Sequence, residues 1–126
     1  MIQQVGKIKL YVEDQEKSKE FWVEKVGFSV MEDQTQDSIR WIEITPTQEA
    51  QTHFVLHHKN VIAELESELT LATPSLLLFT PDLEKLYTEF KQKGITVGEL
   101  VSTPTGRGFN FSDLEDQYFA VVEEQT

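Results

Sequence analysis

Cysteine is absent from the sequence, which excludes disulfides, thiol nucleophiles and thiolate metal sites. Basic side chains are scarce: 11 Lys and Arg stand against 22 Asp and Glu, a formal net charge of −11. A field of that sign repels nucleic acid and anionic membrane, both of which need clustered Lys and Arg. It keeps a protein soluble and favours cationic small molecules over anionic ones. No run of 18 apolar residues occurs, so no membrane span is expected. The opening MIQQVGKIKLYV lacks the basic region, apolar core and cleavage site of a signal peptide, and a cytoplasmic protein is expected. Glycine is too sparse for a phosphate-cradling loop, since Thr105-Gly106-Arg107-Gly108 holds only two, and no G-x-S-x-G turn is present.

What is present is a repeat. Leu10–Val30 and Leu77–Val97 each run as an apolar strand, an Asp, a charged helix with clustered aromatics, a Gly and a second strand. Self-similarity of this kind constrains architecture before any other argument. Ile8, Leu10 and Val12 alternate with Lys7, Lys9 and Tyr11, the period-2 mark of a strand with two unlike faces. Asp14 is placed to cap a helix over Gln15–Val26 that Gly27 ends, and Asp82 to cap one over Leu83–Lys93 that Gly94 ends. Strands are expected at Phe28–Glu32, Ser38–Ile44 and His53–His58, and again at Thr96–Val101, Gly108–Ser112 and Tyr118–Glu123. Polar turns are expected at Asp33–Asp37 and Pro46–Gln51. The order is strand, helix, three strands, written twice. That predicts an α+β fold: one domain, 1–126, of two βαβββ modules (about 1–58 and 74–126) joined by a linker over 59–73. Ile62, Leu65 and Leu69 fall at helical spacing in the linker, so a short helix and a loop packed by its own side chains are both open.

Several motifs, taken in order, carry a family resemblance. They are Val12-x-Asp14, Ser18-x-x-Phe21-Trp22, Val26-Gly27-Phe28-x-Val30, Phe79-Thr80-Pro81-Asp82, and the closing Gly106–Gln117 segment. Together they resemble the vicinal oxygen chelate superfamily, which includes glyoxalase I, extradiol dioxygenases, fosfomycin-resistance enzymes and bleomycin-resistance proteins. The resemblance implies mixed sheets curled into half-barrels around a cavity. It also implies a homodimer, with the site built at the paired modules.

The family's metal site is where this sequence departs. Enzymes of the group commonly place a first ligand seven residues before the helix-opening Asp, which here lands on Lys7 and Ser75. The last carboxylate ligand, seven residues after Asp113, lands on Ala120. Protonated Lys has no lone pair, Ser is a poor ligand and Ala is none. No cofactor is therefore expected. His53 and His57 share one strand face with Val55, and with Glu43 form an alternative two-His, one-carboxylate set. Strand residues four apart are about 13 Å apart, however, which is long for one ion. His58 is expected at a solvent edge.

The inward faces are expected to carry aromatic walls (Tyr11, Trp41, Phe79, Tyr118) and polar groups (Glu43, His53, His57, Ser75), with Lys7 neutralising Glu43; Arg107, at a strand turn, is a further candidate to pair with an anionic ligand group through its planar fork. Such a lining suits a small flat or aromatic molecule, although the same aromatics would also serve as ordinary core. The function expected is small-molecule binding without the family's usual metal. The alternative is a metal-dependent lyase or dioxygenase using His53, His57 and Glu43. Elemental analysis of protein purified without tag or chelator is expected to find no stoichiometric divalent metal. One tightly bound zinc, nickel, manganese or iron per chain would refute that expectation.

Overall fold

In the computed structural model, which describes residues 1–65, 70–104 and 106–124, the chain forms two compact units, Met1–Ala72 and Thr73–Thr126. The first opens with β1 (Lys7–Val12), in which Leu10 and Val12 are buried while Lys7 and Lys9 are exposed. Asp14 caps the next helix: its backbone is extended and its carboxylate accepts from the Lys17 N–H. Helix α1 (Gln15–Glu20) then continues as a π-helical turn, Phe21–Val26, where one unbroken α-helix is expected. The wider turn buries the adjacent aromatics Phe21 and Trp22 together. Gly27 ends it at φ 101°, and the Trp22 carbonyl accepts from both the Gly27 and Phe28 N–H groups.

Strands β2 (Ser29–Gln36), β3 (Ile39–Thr45) and β4 (His53–His58) complete a sheet ordered β1-β4-β3-β2, with β1 parallel to β4 and the other pairs antiparallel. Its helix side carries the core. Ile42, Ile44, Phe54 and Leu56 are buried there, and the rings of Trp22, Phe28 and Phe54 lie 5.0–5.6 Å apart. Gln15, buried at the head of α1, ties helix to sheet by donating to the Arg40 and Leu56 carbonyls at 2.8 and 3.0 Å. The polar run Asp33–Asp37, expected as a turn, instead stays paired as far as Gln36. The chain reverses at Asp37-Ser38, both at positive φ (53° and 69°), as a two-residue hairpin requires. Polar residues are tolerated because β2 is an edge strand.

Pairing between β2 and β3 slips by one residue. Val30 faces Ile44 but Glu32 faces Glu43, leaving Met31 as a bulge. Past it, Glu32 shares the face of Glu43, away from the helix, whereas plain alternation would keep it with Val30. Asp33, opposite Ile42, turns to the helix side. There it accepts from Lys19 at 2.9 Å and from two Arg40 nitrogens at 2.9 and 2.7 Å, and Arg40 also pairs with Glu16 of α1 at 2.9 Å. Arg40 foremost, with Lys19, holds the Asp33 carboxyl far below the usual range despite burial. The linker begins as a helix, α2 (Lys59–Leu65), with Ile62 buried; Leu69 lies outside the described residues.

The second unit repeats the order. Strand β5 (Leu77–Thr80) and helix α3 (Leu83–Gln92) precede β6 (Val101–Thr103), β7 (Gly106–Ser112) and β8 (Tyr118–Glu123), in a sheet ordered β5-β8-β7-β6 with β5 parallel to β8. Asp82 caps α3 through the Lys85 N–H, and the Glu123 carboxylate accepts from the Leu83 N–H at 3.1 Å. Phe90 packs against Phe109 and Phe111, and Phe111 against Phe119. Thr96–Val101, expected as a strand, pairs irregularly. Val97 faces Phe111 and the Gly98 N–H reaches the Asn110 carbonyl, yet Val101 faces Gly108. Four steps along the outer chain match three along β7, so both outer strands carry a one-residue slip. Thr105, between β6 and β7, lies outside the described residues. Asp113 closes the β7–β8 turn by accepting from the Glu115 and Gln117 N–H groups; burial raises its pKa against those bonds. No helix among the described residues is long and apolar enough to cross a membrane.

Gly108 leaves no room for a side chain in the second sheet: a Cβ there would lie 2.3 Å from the Val121 carbonyl oxygen and 2.9 Å from a Val122 methyl. Gly108→Ala is expected to destabilise by roughly 1–3 kcal/mol. Gly98→Ala, whose Cβ meets only the Asn110 backbone at 3.6 Å or beyond, is expected to be near neutral. Urea unfolding of the two variants checks this, and equal midpoints would contradict it.

Candidate functional site

Strand pairing fixes which side chains meet on the face of the first sheet that α1 leaves uncovered. Tyr11, His57, Trp41 and Gln34 stand opposite one another across all four strands. Lys9, Val55, Glu43 and Glu32 form the next row, and Lys7 and His53 begin a third. The Tyr11 and His57 rings stack with centroids 6.1 Å apart. Trp41 is half-buried, and its Nε1–H points at Glu32 Oε2 over 3.4 Å. Tyr11, Trp41, Glu43, His53 and His57 are therefore brought together on one open face, as the sequence leads one to expect.

Glu43 is the buried charge of that face, its side chain 10% exposed. One carboxylate oxygen meets Lys7 Nζ at 3.0 Å and the other His53 Nδ1 at 2.6 Å. The neutralising role expected of Lys7 is thus met, and His53 shares it. His53 Nε2 lies 2.9 Å from the Ala50 carbonyl, which can only accept, so that nitrogen donates. The hydrogen bond from His53 first, and Lys7 after it, lowers the Glu43 pKa although burial opposes them.

These residues do not fit a divalent metal. Both His53 nitrogens are engaged, leaving no lone pair to coordinate, and His57 lies against Tyr11 instead of joining His53 and Glu43. At the family's usual positions, Lys7 is ion-paired, Ser75 is exposed ahead of β5, and Ala120 sits in the sheet between Leu77 and Asn110. Among the described residues no three His, Asp or Glu side chains gather as a ligand set.

In the second unit Phe79 and Tyr118 are exposed on the face that α3 leaves uncovered. A cavity of about 420 Å³ opens on that unit, lined by Leu77, Val101, Phe109, Asn110, Ala120 and Val122 among others. Arg107 is elsewhere, paired with Glu84 of α3 at 3.2 Å. His58, expected at a solvent edge, is half-buried beside a 130 Å³ cavity that Gln15, Arg40 and Ile62 also line. Sequence reasoning misses Glu32, because alternation counted from Phe28 and Val30 assigns it to the helix side. Only the bulge brings it out, and no residue type announces that bulge.

A family model described as Glyoxalase/Bleomycin resistance protein/Dioxygenase superfamily matches residues 4–119. The chain belongs to that superfamily, and its two four-stranded mixed sheets are that family's curled α+β fold. It is 31% identical over 125 residues to the protein YetH of Bacillus subtilis (strain 168), covering 98% of this chain and 100% of that one. Among solved structures it resembles TnmS3, an antibiotic binding protein from Streptomyces sp. CB03234, with a TM-score of 0.83 and 30% identity over 98% of both chains. A superfamily member from Sphaerobacter thermophilus DSM 20745 also gives a TM-score of 0.83, at 28% identity over 98% of both chains.

A lowered carboxyl pKa means the ionised form is favoured by folding. The stability Glu43 supplies is therefore complete above about pH 4.5 and is lost as pH falls through its lower folded value. Glu43→Gln is expected to cost about 1–3 kcal/mol near neutral pH. It is also expected to flatten part of the decline in stability below pH 4.5, with Asp33 supplying a remaining part of the same sign. Urea titrations across pH 3–7 test both, and an unaltered acid limb would contradict the assignment.

Proposed function

We propose that this chain binds a small organic molecule on the uncovered faces of its curled sheets, as a cytoplasmic homodimer and without the family's usual metal. The observation that carries the reading is the cross-strand row Tyr11, His57 and Trp41, an aromatic floor bordered by Glu43, His53 and Glu32. Binding sites for small molecules combine apolar or aromatic walls with a few placed polar groups, and this face has both. Two further points support it. The second unit offers a largely apolar lining with Asn110 and Glu99 as its polar residues, and the similar protein TnmS3 is described as antibiotic binding. Phe79 and Tyr118 give the second unit an aromatic surface of its own, and we assign them, with Ser75, to the ligand side of the second module. Arg107 takes no direct part, because its guanidinium is turned to Glu84.

The dimer is part of the proposal for a physical reason. Phe79 and Tyr118 are 67% and 62% exposed, and large apolar groups left in water favour a covering partner. Trp41→Ala is expected to weaken binding of a planar aromatic probe at least tenfold while leaving the sedimentation coefficient of the dimer unchanged. Unchanged probe affinity would defeat the binding reading. A monomer at micromolar concentration would defeat the assembly.

A further inference from the structure

The two carboxylates of the middle row meet different fates, and the difference says what the first sheet's open face recognises. Glu43 is satisfied on both oxygens, by Lys7 and by His53. Glu32 stands directly opposite it on β2 and, among the described residues, forms no ion pair. Its one hydrogen bond there is the 3.4 Å contact from Trp41 Nε1, longer than the usual 2.7–3.2 Å range. The remaining cation of the row, Lys9, is three strands away, roughly 14 Å at ordinary strand spacing. A half-buried carboxylate therefore sits at the edge of an aromatic floor with most of its acceptor capacity unused.

We propose that Glu32 is the specificity-determining residue of this face and that its ligand is a planar aromatic compound bearing a protonated amine. The ring would lie over Trp41 toward His57 and Tyr11, and the ammonium would donate to Glu32. Trp41 serves twice: its ring supports the guest and its N–H orients the carboxylate that receives the amine. Glu43 does not compete for the amine because its charge is already taken up. This inference rests on the small-molecule binding proposed above and adds the class of ligand and its orientation.

Calorimetric titration with two probes of one ring system tests it: 9-(aminomethyl)anthracene, whose amine is an ammonium at pH 7, and anthracene-9-carboxylate, planar and anionic. The cation is expected to bind about tenfold more tightly, the equivalent of one charge-assisted hydrogen bond. Glu32→Gln is expected to remove most of that preference without weakening the anionic probe. Glu24→Gln, on the exposed surface of the π-helical turn, should leave the preference intact. Trp41→Ala should weaken both probes. A preference that survives Glu32→Gln overturns the assignment, as does one that Glu24→Gln erodes equally, since the effect is then only the protein's net charge. If neither probe binds below about 1 mM, or Trp41→Ala changes neither affinity, the binding reading falls and takes this inference with it.

Discussion

Parallel pairing of β1 with β4, and of β5 with β8, is the constraint on which the rest of each unit depends. Parallel neighbours cannot be joined by a tight turn, so the chain between them must leave the sheet and return. Here it does so through one helix and an antiparallel pair of strands. The helix covers a single face. Leu10, Ile42, Phe54 and Leu56 bury themselves beneath it, and the alternate residues of the same strands are left facing outward. The face that carries chemistry is thus a by-product of the face that carries stability.

This coupling explains how much of the structure is legible in the sequence. Alternation in β1 and β4 assigns Tyr11, His53 and His57 to the uncovered side because both strands are regular and Leu10, Val12, Phe54 and Leu56 mark the other side. The caps at Asp14 and Asp82 and the stops at Gly27 and Gly94 need only local chemistry. The illegible parts are departures from strict period. The π-helical turn at Phe21–Val26 leaves no pattern distinct from an α-helix over so short a span. The polar tail of β2 resembles a turn because an edge strand, paired on one side only, imposes no apolar requirement on Asp33–Gln36. The irregular pairing of Thr96–Gly98 with β7 has the same origin. Residue type alone makes Arg107 a candidate ligand group, and only the structure reveals that Glu84 claims it.

Charge on this acidic chain is therefore less uniform than a net value of −11 suggests. Asp33, Glu43 and Asp113 are each held by defined donors: guanidinium and ammonium for the first, imidazole and ammonium for the second, backbone N–H groups for the third. Such carboxylates fix strand and turn geometry and are costly to leave unpaired. The acidic groups open to a visitor are those outside such arrangements. They are found by tracing hydrogen bonds, not by counting residues.

The Met31 bulge has a bearing on how this fold can vary. The outer half of β2 is anchored by the Asp37-Ser38 hairpin and by the ion pairs of Asp33, and its inner end by the buried Phe28. Met31 is slack between two fixed ends. A lineage that lost this codon would keep Val30 opposite Ile44 and Glu32 opposite Glu43, and one that lost a neighbouring codon could draw Met31 into the vacated place. Length change, ordinarily confined to loops, is admitted here inside a strand without re-sorting either face.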